Sequence, residues 1–74
     1  MTRTDFLRSL DEILELTPGT LTGTESLSDY ALWDSTAMVS FMALVHEQNG
    51  TNLVPKALEA CDGVPDLLKL AGVE

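Results

Sequence analysis

The sequence predicts an all-α fold: an irregular four-helix bundle with three main helices, one short helix and a long loop between the first and second. Three observations predict it. Apolar residues recur at intervals of three and four in separate segments. No segment carries a strand pattern that competes. Pro, Gly and hydroxyl residues punctuate the gaps. With 74 residues, 45% of them hydrophobic, the chain has room for one small core and reads as one domain, 1–74.

The first helix is expected over residues 3 to 16. Phe6, Leu7, Leu10, Ile13 and Leu14 share one face, while Asp5, Arg8, Asp11, Glu12 and Glu15 fall elsewhere. Thr2 or Thr4 can cap its start. Thr17-Pro18-Gly19 ends it, because proline disfavours the helical conformation of the residue before it. Residues 17 to 34 show no clear period. A loop of that length is unusual in so short a domain, and such loops tend to be functional. Leu21, Leu27, Leu32 and Trp33 are expected to pin it to the bundle, with a short helical turn within residues 24 to 29.

The second helix is expected from about 35 to 48. Met38, Phe41, Met42 and Val45 mark its buried stripe, and Asn49-Gly50 supplies the stop. The opposite face, with Thr36, Ala37, Ser40, Ala43 and Glu47, is small-sided and nearly uncharged. A short third helix is expected over 55 to 60, with Ala57 and Leu58 inward. Asp62-Gly63 breaks the chain before a last helix over 64 to 71. Pro65 suits its first turn, Leu67, Leu68 and Leu70 give it apolar content, and Gly72 ends it. Thr51-Asn52-Leu53-Val54 is too short and isolated to be a strand. Helices of these lengths depend on packing against one another.

Composition narrows the function classes. A formal charge of −8 repels nucleic acid and anionic membranes and favours a basic protein partner. One cysteine makes no internal disulfide. Asp5, Asp11 and Glu12 interrupt the N-terminal segment, so neither a signal peptide nor a membrane span is expected. A free-standing, cytoplasmic, monomeric protein is the expectation. Catalysis is hard to build from this inventory. His46 and Cys61 are single, no metal-ligand spacing is visible, and Gly19 and Gly23 match no phosphate loop. A solvated acidic face explains the carboxylates better than an acid/base pair does, and the chain is not expected to be an enzyme.

Trp33-Asp34-Ser35 stands where the long loop ends and the second helix begins. The plain reading is that Asp34 caps the helix and Ser35 occupies its first turn. The functional reading is that Ser35 is a handle. A phosphate ester on its hydroxyl would meet free backbone N–H groups at the positive end of the helix dipole.

From residue 27 to 71 the chain resembles the acyl carrier protein family. The family places Asp-Ser-Leu at the start of its second helix after a long loop, and here the motif reads Asp34-Ser35-Thr36. The spacing of Val39, Phe41, Met42, Val45 and Leu53, and Val64-Pro65-Asp66-Leu67-Leu68 near the end, are similar to the family's pattern. Trp33 before Asp34, with Ala37 soon after, resembles a subgroup of free-standing carriers with Trp-Asp-Ser. The resemblance implies that Ser35 receives a 4′-phosphopantetheine arm from coenzyme A, attached by a phosphopantetheinyl transferase that uses magnesium, with Asp34 helping to orient the metal-bearing partner. It implies acyl groups carried as thioesters and handed to acyl-activating, acyltransferase or ketosynthase-type enzymes of fatty acid, polyketide or related specialised biosynthesis. Thr36, Ala37, Ser40 and Glu47 would form the partner-recognition face.

Two departures matter. Thr36 replaces the usual leucine. Ala37 and Ser40 stand where the family carries docking acids, so partner binding is expected to rest on shape and apolar contact, with modest salt dependence. Trp33 is expected to be a packing anchor, Met38 and Met42 core filler, Cys61 a small buried residue, and His46, Lys56 and Lys69 surface groups. Two other readings remain: an acidic helical adaptor or inhibitor that never bears an arm, and a degenerate carrier that keeps the fold without the modification.

Overall fold

In the computed structural model, which describes residues 2–73, the chain forms four helices around one core. They are α1 (Arg3–Ile13), α2 (Ser35–Asn49), α3 (Pro55–Glu59) and α4 (Val64–Leu70), with a 3-10 turn at Leu27–Asp29 in the long loop. The helical class is as the sequence predicts. The bundle has two long helices and two short ones, since α4 runs for only seven residues. No strand forms among the described residues; one isolated antiparallel bridge joins Ser26 to Gly63.

Thr2 starts α1. Its hydroxyl accepts from the Asp5 N–H at 3.1 Å, and the Asp5 carboxylate accepts from the Thr2 N–H at 3.3 Å, a reciprocal capping box. The helix stops earlier than Thr17-Pro18-Gly19 suggests. The Glu15 N–H bonds to the Glu12 carbonyl and the Leu16 N–H to the Asp11 carbonyl, with Glu15 at φ 56°. This is a Schellman ending, built on a glutamate where glycine is usual.

The core is Phe41 and what surrounds it. Phe6 meets it edge-on at 5.4 Å between ring centres, and Trp33 at 6.0 Å. Leu7, Leu10 and Leu14 from α1, Leu58 from α3 and Val64, Leu67 and Leu68 from α4 close the rest. Each such side chain, once buried, stabilises the fold by roughly 1.5–3 kcal/mol. The buried stripe of α2 is Ala37, Phe41 and Val45; Phe41 and Val45 are buried as expected, whereas Met38 and Met42 are only partly buried and Ala37 joins the core in their place. Leu21 and Leu27 do pin the loop, whereas Leu32 is 44% exposed.

Asp11 departs most from expectation. It is fully buried instead of lying on a solvated face. Its carboxylate accepts from the Gly19 N–H at 2.9 Å and the Leu21 N–H at 3.0 Å, satisfying loop donors that no helix or strand serves. Arg8 Nε lies 2.8 Å from the same carboxylate, and Arg8 Nη2 donates to the Leu21 carbonyl at 2.6 Å. Further along, Glu25 accepts from the N–H groups of Thr22, Gly23 and Thr24. Burial alone raises the Glu25 pKa; the Thr22 and Gly23 N–H groups and the Thr22 hydroxyl outweigh it and hold the pKa at about 2, against 4.5.

The loop then crosses to α4. The Leu27 N–H bonds to the Asp62 carbonyl and the Val64 N–H to the Glu25 carbonyl. Gly63 is required there because a Cβ would sit 2.9 Å from the Glu25 carbonyl oxygen, closer than real Cβ contacts come. Gly50, at φ 69°, ends α2 as expected. The Asn49 amide donates to the Ala71 carbonyl, tying the ends of α2 and α4.

Candidate functional site at the start of the second helix

The loop reaches α2 through two tight backbone turns. The Trp33 N–H bonds to the Tyr30 carbonyl at 3.1 Å and the Asp34 N–H to the Leu32 carbonyl at 2.9 Å. Half-buried Trp33 packs its ring on Phe41, the anchoring role expected of it. That contact fixes where the chain must turn into the helix.

Asp34 is the N-cap. Its backbone is extended, its Oδ1 accepts from the Ala37 N–H at 3.0 Å, and its carbonyl accepts from the Met38 N–H at 2.9 Å. Two of the helix's first four donors are therefore satisfied. The N–H groups of Ser35 and Thr36 have no partner in the protein among the described residues. Ser35 is the first residue of a fifteen-residue helix and is exposed, so its hydroxyl is open to another molecule. An exposed serine oxygen, two free backbone donors and the positive end of a helix dipole fit a phosphodiester on Ser35. That arrangement is worth ~0.3–1 kcal/mol.

The exposed face of α2 brings Ser35 together with Thr36, Val39, Ser40, Ala43, His46 and Glu47. Ala37 does not belong to it. At 5% exposure its methyl packs inward, because it lies on the Phe41 side of the helix; it is corrected from a recognition residue to a core residue. Thr36 borders a hollow of about 220 Å³ beside Leu32, and Ser40 and Glu47 lie towards α1. Glu47 is the one carboxylate of α2. Val39, 60% exposed, stands one turn beyond Ser35, and Val54, 57% exposed, precedes α3. Sequence reasoning counted Val39 as patterning alone. Its position four residues after Ser35 was the signal that it shares the serine's face.

On the α3 side of Ser35 lies a cleft of about 390 Å³, lined by Tyr30, Trp33, Met38, Leu58 and Cys61 among others. Burial raises the Tyr30 pKa, and the charges of Glu25, Asp29 and Asp11 raise it further. Burial likewise raises the pKa of the half-buried Cys61, with Asp66 and Asp62 adding to the shift. The shift disfavours the thiolate, and Cys61 packs against the core only half-buried rather than inside it as expected. His46, Lys56 and Lys69 are exposed.

Among the described residues, no three His, Cys, Asp or Glu side chains are arranged to hold a metal ion, and no helix is long and apolar enough to cross a membrane. Scanned against family models, curated proteins and solved structures, the chain matches none.

Proposed function

We propose that this protein is an acyl carrier, with Ser35 as the attachment point of a 4′-phosphopantetheine arm. The observation that carries the reading is the exposed Ser35 hydroxyl at the first position of α2, beside two unpartnered N–H groups. The Asp-Ser motif and helix order it shares with acyl carrier proteins support the same reading.

A serine hydroxyl is a weak nucleophile, so the base and magnesium belong to the phosphopantetheinyl transferase. Ser35 contributes an accessible oxygen. Asp34 contributes one carboxylate oxygen to the cap, leaving the other for the transferase's metal. Ser35 and Thr36 contribute N–H groups to the phosphodiester. The arm, once bound, supplies a thiol on which acyl groups are held as thioesters. The cleft lined by Trp33, Met38 and Leu58, and on its polar side by Ser28, Glu59 and Asp62, is reached from the residues two before and three after the attachment point. Acyl-activating, acyltransferase or ketosynthase-type enzymes would act on the cargo, in a fatty acid, polyketide or related specialised pathway.

From Ser35 to Val45 the helix carries no charged residue, and Val39 is exposed in the middle of that stretch. Docking of these enzymes on the neutral stretch around Val39, apart from Ser40 and Glu47 on the α1 side, therefore rests on apolar contact, and its affinity should change less than about threefold between low and high salt. A steep fall in titrations across that range would refute the apolar docking face.

Intact-mass analysis after incubation with coenzyme A, magnesium and a broad-specificity transferase tests the attachment. The expected result is one phosphopantetheine-sized gain mapping to Ser35, absent in a folded Ser35→Ala variant. No gain with several transferases would reject the carrier reading and favour an adaptor without an arm.

A further inference from the structure

A second surface of the molecule lies away from the cleft on the α3 side of Ser35. Between α1 and α2 runs a groove of about 390 Å³. Ile13, Ala43 and Leu44 make its apolar lining, and Ser9 and Ser40 are too short to fill it. Through Ile13 and Ser40 it continues into the hollow beside Leu32. From Asp34 to Glu47 that path is on the order of 20 Å, or three to four helical turns.

The rims are acidic. Glu12 and Glu15 stand on the α1 side and Glu47 on the α2 side, all exposed. None of the three side chains makes a hydrogen bond or ion pair among the described residues. The chain's four Lys and Arg residues lie elsewhere. Arg3 and Arg8 bond to the backbone of the long loop, while Lys56 and Lys69 sit on α3 and α4. The groove thus offers an apolar floor open to close approach, with uncompensated negative charge on both sides.

We infer that this groove docks a basic amphipathic helix of a partner protein, one with a ridge of small apolar residues flanked by Lys or Arg. A helix laid between two helices inserts its ridge into the groove, and its long cationic side chains reach the rims. A second copy of this chain is a poor occupant, because it would set the same unpaired carboxylates against one another. The inference does not depend on Ser35 bearing an arm. It assigns charge-driven docking to the α1 side of α2, whereas the exposed centre of α2 around Val39 is neutral.

The test uses the unmodified full chain, isotope-labelled for NMR, so that it reads the groove and not the arm. The probe is a synthetic amphipathic helix of about 16 residues, long enough for the groove, with Ala and Leu on one face and Lys along both edges. The control is a peptide of the same composition, shuffled to abolish the amphipathic face. Amide shifts should map to Ile13, Ser40, Ala43 and Leu44. The shuffled peptide should bind at least about fivefold more weakly, and added salt should weaken the helix about tenfold. Ala43→Trp, which fills an exposed part of the groove, should abolish binding, and Glu12→Gln with Glu47→Gln should weaken it severalfold. Shifts centred on Asp62 and Asp66, equal binding of the shuffled peptide, or unchanged binding by a folded Ala43→Trp variant would each overturn the inference. So would self-association through this groove in sedimentation of the free chain.

Discussion

The two halves of the long loop are held by different forces. Residues 17–29 are tied by charge in addition to the burial of Leu21 and Leu27. Asp11 and Glu25 accept their N–H groups, and Arg3 and Arg8 donate to their carbonyls. Residues 30–34 are tied by two backbone turns and by the Trp33 ring on Phe41, with no side-chain hydrogen bond to the backbone before the Asp34 cap. In the first half, ionisable groups are consumed in satisfying the backbone. In the second half, packing does the positioning, and polar capacity at Ser35 and Thr36 is left over for another molecule.

The largest expected effect breaks the first half. Asp11→Ala leaves the Gly19 and Leu21 N–H groups and the Arg8 guanidinium without their buried acceptor. It should cost about 3 kcal/mol in urea-denaturation measurements. Because Trp33 is untouched, the carrier reading expects the folded fraction of this variant to be modified at Ser35 as fully as the unsubstituted protein. Loss of modification in fully folded protein would show that the two halves are not separable.

An intermediate effect comes from Glu25. Its folded pKa of about 2 lies below the ordinary 4.5, so its stabilising contribution is fully present above pH 4.5 and is lost as pH falls through 2. Glu25→Gln should cost roughly 1–2 kcal/mol near neutral pH, allowing for solvent screening. It should also flatten the acid limb of the stability curve between pH 4.5 and 2, as followed by circular dichroism. An unchanged acid limb would mean that other carboxylates govern acid unfolding.

The smallest effect on stability, and the sharpest on the site, belongs to Asp34→Ala. Losing the N-cap should cost about 1 kcal/mol. On the carrier reading, transferase loading of Ser35, read by intact mass, should fall far more than that loss of folded protein explains. If loading fell only in proportion to unfolding, Asp34 would be a cap and nothing else.

Much of the chain was legible as a sequence because it follows from local chemistry. Thr2 with Asp5, Asp34 before Ser35, Gly50 and Pro65 are short-range signals, and the structure uses each where it stands. Leu10, Phe41, Val45, Leu58, Leu67 and Leu68 are core positions because helical period and hydrophobicity agree there. The exposed Ser35 was legible for the same reason: a residue just after an N-cap has no interior to enter.

Only the tertiary structure decided the rest. Asp11 reads as a surface acid, yet it is buried because a loop ten residues further on folds back with unmet N–H groups. Ala37 reads as part of an exposed small face, yet it is core because the helix is turned by how Phe41 meets Phe6 and Trp33. Acids missing from the middle of α2 are met across the groove, by Glu12 on α1 and Glu15 just past its end. Period and capping are set by neighbours within a turn or so along the chain. The rotation of a helix about its axis, and the partner of a buried charge, are set by groups that only packing brings together.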